Sequence, residues 1–258
     1  MAAVDAPLKG RLALVTGGAG CIGQAVCHIL ASKGVAVVAA DKNFEAAKTF
    51  VQSLPGDAKH QALYVDVSDP LSVEQLFTGI GRSFSMPLSI VVHCAGILRA
   101  ASLTESTDEL FDEVIKVDLK GTFLVNRAAC QDMLRSGSDI PAGGGAIVNI
   151  SSLAAKCGSS QSCAYAAATA GIVALTKSAA LELATHGIRC NVVIPGWVES
   201  PFMAIANESS KSAVVSATPL KRTAQPKEIA EAIVFLCSPS ASSYITGSVL
   251  EVTGGFKM

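Results

Sequence analysis

The chain has 258 residues, half of them hydrophobic, and a formal net charge of −1. This length suits one large domain, and the near-neutral charge gives no indication of a surface for nucleic acid or anionic membrane. The eight cysteines are scattered without a C-x-x-C pair, and the four histidines are equally dispersed. We therefore expect free thiols in a reducing compartment, and neither a disulfide framework nor a metal site.

The beginning of the chain carries no recognisable targeting segment. Its first eleven residues lack the apolar core that a secretory signal needs. No uninterrupted run of 18 apolar residues occurs, so we expect no membrane-spanning segment. We treat residues 1–10 as an N-terminal extension and residues 11–258 as a single domain.

Short apolar runs alternate along the chain with segments of helical periodicity. The predicted strands cover residues 12–16, 35–40, 62–67, 90–94, 146–150, 189–194 and 249–252. The predicted helices cover residues 22–32, 44–54, a segment that starts at 68–70, 107–135, 165–185 and 225–237. This alternation predicts an α/β fold: a single-domain, Rossmann-type, doubly wound parallel sheet with helices on both faces.

A glycine-rich turn connects the first predicted strand to the first predicted helix. It reads T-G-G-A-G-C-I-G from Thr16 onward. Such a turn lets backbone N–H groups approach a pyrophosphate, and the helix N-terminus favours the negative charge. The residues of the turn that we assign to a dinucleotide cofactor are Gly17, Gly18, Cys21, Ile22 and Gly23.

Asp41, at the end of the second predicted strand, is the acidic residue expected to bind the ribose of the adenosine half. A carboxylate there accepts the ribose hydroxyl hydrogens and repels a 2′-phosphate. The turn contains no Arg or Lys for such a phosphate, although Lys42, which we also assign to the cofactor site, adjoins Asp41. We therefore expect NAD rather than NADP.

These features resemble the short-chain dehydrogenase/reductase family, and the resemblance extends over residues 12–255. The turn follows the family pattern T-G-x-x-x-G-x-G, except that Cys21 stands at the middle glycine. Asp66-Val67 resembles the family's adenine-contacting pair, and His93-Cys94-Ala95-Gly96 stands where the family has N-N-A-G. The resemblance also implies contacts to the nicotinamide end from the family's P-G motif and the residues after it: Pro195, Gly196, Val198 and Ser200.

Ser152 and Tyr165, 13 residues apart, match the family's catalytic serine and tyrosine. The resemblance implies that Tyr165 exchanges a proton with the substrate oxygen, which Ser152 orients. In the family, a lysine four residues after the tyrosine lowers the tyrosine pKa and binds the nicotinamide ribose. Thr169 occupies that position here, and Asp118 stands where the family has an asparagine.

These departures change the charge around Tyr165. The site loses one positive charge at Thr169, and it gains one negative charge if Asp118 is ionised, so both changes raise the tyrosine pKa. Thr169 can still hydrogen-bond a ribose hydroxyl. At the third departure, Cys21 narrows the approach to the pyrophosphate, unless Gly20 relieves the strain by a shifted turn.

Two other lysines are candidates to replace the missing charge. Lys177 lies two helical turns beyond Thr169, or ~12 Å along the helix, which is too far. Lys156, in the predicted loop after Ser152, could swing toward the site.

The resemblance implies an NAD(H)-dependent oxidoreductase that interconverts a 3-hydroxyacyl thioester or a steroid alcohol with its ketone, in fatty acid or steroid metabolism. It implies the mitochondrial matrix, whereas the N-terminus alone favours the cytoplasm. It also implies a homo- or hetero-tetramer, the latter with a carbonyl reductase subunit. The altered charges support an alternative: a catalytically impaired NAD-binding subunit of a 3-oxoacyl carrier protein reductase heterotetramer.

Two further segments bear on assembly and substrate. The predicted helices 107–135 and 165–185 have more apolar surface than one sheet face can cover, which favours subunit contacts. The Ser- and Ala-rich segment 200–223 is expected to set substrate identity.

Overall fold

The computed structural model describes residues 8–200 and 208–257. The strands are β1 (Leu12–Thr16), β2 (Ala36–Asp41), β3 (Gln61–Tyr64), β4 (Leu88–His93), β5 (Gly145–Ile150), β6 (Ile188–Pro195) and β7 (Val249–Val252). The α-helices are α1 (Cys21–Ser32), α2 (Phe44–Val51), α3 (Pro70–Ser83), α4 (Asp108–Val114), α5 (Gly121–Ser136), α6 (Ala154–Cys157), α7 (Cys163–Leu183), α8 (Glu208–Ala217) and α9 (Pro226–Cys237). A π-helical turn, Ile115–Lys120, joins α4 to α5.

The strands form one parallel sheet in the order β3-β2-β1-β4-β5-β6-β7. The chain winds outward from β1 to β3, returns to β4 beside β1, and then winds outward to β7. The strand order therefore reverses between β1 and β4, whose last residues, Thr16 and His93, are register partners. In open α/β sheets, ligands bind outside the carboxyl ends of the strands at such a point.

Helices cover both faces of the sheet because the strands are apolar on both sides. Along β1, Leu12 and Leu14 face α3, α5 and α7, whereas Ala13 and Val15 face α1 and α9. All of these side chains are fully buried. The predicted doubly wound α/β architecture is confirmed.

The predicted helix 107–135 is divided in the structure. It consists of α4, the π-helical turn and α5, and the widened turn contains Asp118. The chain packs tightly here, because a Cβ on Gly171 of α7 would lie 2.8 Å from Leu119 Cδ1. Such bulges are frequent at functional sites. The sequence has no proline in this segment that would predict an interruption of the helix.

Two further differences from the prediction concern residues assigned to the site or proposed to reach it. The third strand ends at Tyr64 rather than at residue 67, because its neighbour β2 ends at Asp41, the register partner of Tyr64. Asp66 and Val67 therefore lie in the turn that follows. Lys156 lies in the short helix α6, not in a loop.

The segment Cys163–His186, α7 with the turn after it, is long and apolar enough to cross a membrane by length and composition alone. In this fold it packs along β6. Only a third of its most apolar stretch is buried within the subunit. The segment therefore serves as a packing helix of the sheet that leaves much apolar surface uncovered.

Candidate active site

Three glycines of the turn between β1 and α1 lie where a side chain cannot fit. A Cβ on Gly17, which has a φ of 64°, would lie 2.8 Å from the amide nitrogen of Ala95. A Cβ on Gly23 would lie 2.1 Å from the carbonyl oxygen of Gly17, and one on Gly18 would lie 2.9 Å from Ala39 Cβ. This close-packed backbone at the N-terminus of α1 fits a dinucleotide pyrophosphate.

Cys21 is the first residue of α1 and is partly buried. Burial raises the pKa of its thiol, and hydrogen bonds from the backbone N–H groups of Ile22 and Cys21 itself partly offset that effect. The sulfur therefore lies beside N–H groups that a phosphate at this helix N-terminus would use. Gly20 has a φ of −77° and a ψ of 162°, which any residue can adopt, so its backbone conformation does not require glycine.

Asp41 lies beside the turn at the end of β2. Its Oδ2 accepts a hydrogen bond of 3.0 Å from the Ala19 amide, and its Oδ1 accepts one of 2.8 Å from the Asn43 amide. The carboxylate is thus held by the turn on one side and by the start of α2 on the other. Each oxygen keeps a free lone pair, which suits an acceptor for ribose hydroxyls.

Lys42 and Asp66, both assigned to the cofactor from the sequence, bind each other. Lys42 Nζ lies 2.9 Å from Asp66 Oδ2, while Asp66 Oδ1 accepts hydrogen bonds from the amide and hydroxyl of Ser68. Burial raises the pKa of Asp66, but the hydrogen bonds from Lys42 and Ser68 outweigh it and hold that pKa below its usual value. The ammonium group of Lys42 is therefore paired with the carboxylate of Asp66. Val67 packs closely against Gly121, whose Cβ would lie 2.9 Å from Val67 Cγ2.

The loop after β4 connects the phosphate turn to the catalytic side of the cleft. The Cys94 amide donates to the Thr16 carbonyl at 3.1 Å, and His93 Nδ1 lies 2.8 Å from Thr16 Oγ1. Burial lowers the pKa of His93 to about 4, so its ring is neutral at physiological pH. Further along the loop, a Cβ on Gly96 would lie 3.4 Å from Asp118 Oδ1. The loop thus contacts both the turn and Asp118.

The structure brings the predicted proton-exchanging pair together. Tyr165, in the first turn of α7, interacts with Ser152, which follows β5. Ser152 Oγ also accepts a 3.2 Å hydrogen bond from the Ala154 amide. Burial raises the pKa of Tyr165, the hydrogen bond with Ser152 lowers it, and Asp118 raises it. The net pKa lies above the usual value, so Tyr165 holds its proton.

Thr169 lies one turn after Tyr165, and its hydroxyl faces its own helix. It donates to the Tyr165 carbonyl at 2.8 Å, with the Ala166 carbonyl 3.2 Å away. The Thr169 carbonyl accepts a 2.9 Å hydrogen bond from Ser151 Oγ. Because the hydroxyl proton is used within the helix, Thr169 can only accept a hydrogen bond from a ribose hydroxyl.

Asp118 lies in the π-helical turn and is 3% exposed. Its Oδ1 accepts a 2.8 Å hydrogen bond from the Ile97 amide, whereas its Oδ2 is buried without a hydrogen-bond partner among the described residues. Burial raises the pKa of Asp118 to about 7, and the Ile97 hydrogen bond only partly opposes this. The role of Ile97 was not predictable, because it is carried by a backbone amide.

The side chain of Lys156 is bound to Glu251 and not to Tyr165. Its Nζ lies 2.9 and 3.1 Å from the two carboxylate oxygens of Glu251, a residue of β7. The expectation that Lys156 could swing toward Tyr165 is therefore not supported. Lys177 is exposed on the far part of α7.

The sequence assigns four residues at and after the end of β6 to the nicotinamide end: Pro195, Gly196, Val198 and Ser200. Gly196 is closely packed, because a Cβ there would lie 2.9 Å from Thr253 Cα. Val198 forms an isolated parallel bridge with Ala224. The next residues, 201–207, belong to the segment expected to set substrate identity and lie outside the described residues. The later part of that segment includes α8.

Sequence reasoning missed a group of buried polar side chains beneath the cleft. His93 and Asn149 are register partners on β4 and β5, and Asn149 Nδ2 donates to Thr176 Oγ1 at 3.0 Å. Several neighbouring polar atoms are buried without a partner among the described residues: His93 Nε2, Asn149 Oδ1 and both side-chain polar atoms of Asn126. The available signal was a polar residue at an inward-facing position of an apolar strand.

The chain is similar to known oxidoreductases over nearly its whole length. Residues 17–257 match the family model described as enoyl-(acyl carrier protein) reductase. A (3R)-3-hydroxyacyl-CoA dehydrogenase of Mus musculus is 42% identical, with 97% of this chain and 98% of the relative covered. Carbonyl reductase family member 4 of Danio rerio is 38% identical, with 96% and 98% covered.

A solved structure shares the fold. The 3-oxoacyl-[acyl-carrier protein] reductase from Brucella melitensis superposes with a TM-score of 0.89 at 30% identity, with 98% of this chain and 93% of that chain covered. The phosphate turn, the Ser152–Tyr165 pair and the sheet order agree with these similarities. The chain belongs to the short-chain dehydrogenase/reductase family of oxidoreductases.

Proposed function

We propose that this chain is an NAD(H)-dependent oxidoreductase that interconverts a 3-hydroxyacyl thioester with the corresponding 3-oxoacyl thioester. The observation that carries the proposal is that Tyr165 and Ser152 interact at the carboxyl ends of the strands, in the sheet whose strand order reverses between β1 and β4. The preference for NAD rests on Asp41, which is held beside the phosphate turn, and on Lys42, whose charge is directed at Asp66. The thioester substrate rests on the similarity to (3R)-3-hydroxyacyl-CoA dehydrogenases. A steroid alcohol is the alternative substrate.

The residues of the chain supply proton transfer and positioning. When bound, the nicotinamide supplies or accepts the hydride. In the reductive direction, the Tyr165 hydroxyl gives its proton to the ketone oxygen, while Ser152 donates a hydrogen bond to the same oxygen. In the oxidative direction Tyr165 must first be deprotonated, and its raised pKa makes that state scarce. We therefore expect reduction to be less impaired than oxidation near neutral pH.

The experiment that tests this proposal is steady-state oxidation of NADH or NADPH by an acetoacetyl thioester. We expect turnover with NADH, a markedly lower kcat/KM with NADPH, and loss of turnover in Tyr165→Phe. A variant that removes only a remote hydroxyl, Thr49→Val on α2, is the matched control and should retain turnover. Binding of NADH with no turnover of the wild-type chain would contradict the proposal.

A second candidate function is a catalytically impaired, NAD-binding subunit that supports a 3-oxoacyl carrier protein reductase heterotetramer. Two observations favour it: Thr169 carries no charge and bonds its own helix, and Lys156 is paired with Glu251. A carbonyl reductase as the other subunit is the partner that the resemblance implies. Co-purification with such a subunit, with activity dependent on the tyrosine of that subunit alone, would favour this function.

We also propose that the chain works as a tetramer, homomeric or with that second subunit. Support comes from apolar side chains left exposed on α4, α5 and α7, namely Phe111, Phe123, Leu134 and Leu181. Leu181 is 83% exposed, which is costly for an isolated subunit. Sedimentation or light scattering of the purified chain, compared with Leu181→Lys, tests this arrangement.

The proposed compartment is the mitochondrial matrix, and the cytoplasm is the alternative. The first is the compartment that the resemblance implies. Imaging of the full chain with a C-terminal fluorescent tag distinguishes the two.

A further inference from the structure

The side chain of Asp118 has one satisfied and one unsatisfied oxygen. Oδ1 accepts the 2.8 Å hydrogen bond from Ile97, and the backbone carbonyl accepts a 2.5 Å hydrogen bond from Thr122 Oγ1. Oδ2 is buried and has no hydrogen-bond partner among the described residues. A buried carboxylate anion is stable only when it is paired or well hydrogen-bonded. This geometry favours the neutral acid.

The charged groups around Asp118 do not replace the missing partner. Arg99 and Glu113 influence it with opposite signs, and they form a bidentate ion pair with each other at 2.8 and 2.9 Å. On the sheet side, His93 is buried and neutral at physiological pH. The exposed lysines of its own turn, Lys116 and Lys120, face solvent.

The α7 side contributes Tyr165, which packs against the same apolar cluster as Ile97 and Leu119, the hydrogen-bond partner and the chain neighbour of Asp118. The charge of Asp118 raises the pKa of the Tyr165 hydroxyl. The exposed Lys177 lies farther along α7. Asp118 and Tyr165 therefore form an electrostatically coupled pair across the cleft. Ionisation of either one disfavours ionisation of the other.

We propose that Asp118 is protonated at the acidic end of the physiological range and that its ionisation, as the pH rises, opposes formation of the Tyr165 anion. Asp118 thus acts as a pH-dependent positioning residue for the proton transfer. This inference rests on the proposed function, because it assigns the proton transfer to Tyr165. The pKa of about 7 that burial produces for Asp118 agrees with it.

The consequence is a distinctive pH dependence of alcohol oxidation. An isolated tyrosine would give an oxidation rate that rises tenfold per pH unit below its pKa. In this chain, ionisation of Asp118 raises the tyrosine pKa within the same range, so the rate rises less steeply. Asp118→Asn keeps the shape and the oxygen that accepts from Ile97 but carries no charge at any pH.

The kinetic test measures oxidation of a 3-hydroxybutyryl thioester with saturating NAD between pH 5.5 and 8.5. We expect the ratio of the Asp118→Asn rate to the wild-type rate to be at least fivefold larger at pH 8.5 than at pH 5.5. Asp112→Asn, which removes an exposed carboxylate six residues away, is the control and should give a constant ratio. A constant ratio for Asp118→Asn as well means a merely structural role and overturns the proposal.

A second measurement depends neither on turnover nor on folding of a variant. The Ile97 amide donates to Asp118, so its ¹⁵N–¹H resonance in isoleucine-labelled wild-type protein reports the charge of Asp118. We expect a titration midpoint between pH 6 and 8, and a midpoint below pH 5 overturns the proposal. A midpoint near 7 in a protein without turnover would instead refute the proposed function and leave the protonation of Asp118 intact.

Discussion

The hydroxyl of Thr169 donates a hydrogen bond of 2.8 Å to the carbonyl oxygen of Tyr165, one helical turn before it. The residue at the family's lysine position is therefore engaged with its own helix, and it provides no charge to the tyrosine hydroxyl. Burial and Asp118 raise the pKa of Tyr165, and only the hydrogen bond with Ser152 opposes them among the causes identified.

Replacement of Thr169 by lysine should raise the rate of alcohol oxidation at pH 7 by about tenfold or more. An ammonium group near the Tyr165 hydroxyl favours the anion, and each unit of pKa is a factor of 10 in its population. Thr169→Met adds similar bulk without charge and is the control, measured in the same steady-state assay. Equal rates for the two variants would show that charge at this position does not limit the reaction.

Replacement of Asp41 by serine should shift cofactor preference toward NADPH by about tenfold, measured as the ratio of the two dissociation constants by fluorescence titration. The substitution removes the carboxylate that repels a 2′-phosphate. Any loss of turn stability weakens the binding of both cofactors alike, so it does not change the ratio. Glu45→Gln, on α2, is the control for net charge. The assignment of Asp41 is wrong if the ratio does not change.

Replacement of Cys21 by glycine should tighten NADH binding several-fold. The thiol no longer occupies the backbone N–H groups at the start of α1. Fluorescence titration measures the affinity, and Cys157→Ala, at an exposed thiol, controls for the loss of a cysteine. Unchanged or weaker binding would mean that the sulfur does not obstruct the pyrophosphate.

Replacement of Arg189 by methionine should lower the free energy of unfolding by about 3 kcal/mol, because buried carbonyl groups lose their donor. Arg189 Nη1 donates to the Leu236 carbonyl at 2.8 Å and Nη2 to the Ser238 carbonyl at 3.3 Å, which ties β6 to the end of α9. Urea denaturation measures the change. Arg135→Met, at an exposed helical ion pair, should cost less than about 1 kcal/mol; similar losses in both variants would refute the argument.

Replacement of His93 by asparagine should reduce the acid sensitivity of the fold. The folded-state pKa of His93 is lowered to about 4 by burial, whereas the unfolded chain binds the proton near pH 6.5. The wild-type chain therefore loses stability as the pH falls from about 6.5 to 4, by about 3 kcal/mol in all. Unfolding at pH 7.5 and 4.5 should show a smaller loss in His93→Asn, with His186→Asn as the exposed control; equal losses would contradict the prediction.

The fold was largely predictable because its signals are local. The bounds of β1 and β7 agree with the prediction, since each is a short apolar run ended by turn residues. The start of α3 was predictable from Asp69, whose side chain accepts from the Leu71 amide, and from Pro70 at the first helical position. The π-helical turn was not predictable, because it depends on how Leu119 packs against Gly171 of another helix.

The site was predictable as a set of residues but not as a set of contacts. The sequence placed Lys42 and Asp66 in the cofactor site separately, and their ion pair depends on the turn that follows β3. The hydrogen bond from Ile97 to Asp118 is donated by a backbone amide, so the identity of the side chain at residue 97 does not indicate it. Tertiary contacts of this kind determine which side chains of the site are charged, whereas sequence motifs identify only which residues belong to the site.

The central claim is that Tyr165 still transfers a proton to substrate despite the lost lysine, and a single-turnover measurement tests it most directly. The purified chain, in excess over NADH, is mixed with saturating acetoacetyl thioester at pH 6.5, and NADH absorbance is followed. We predict complete oxidation of the NADH in the wild type, at a rate at least a hundredfold above that of Tyr165→Phe, in line with the ~10²–10⁴-fold contribution of a general acid. NADH that remains unoxidised in the wild type, or is oxidised equally fast in Tyr165→Phe, would contradict the account.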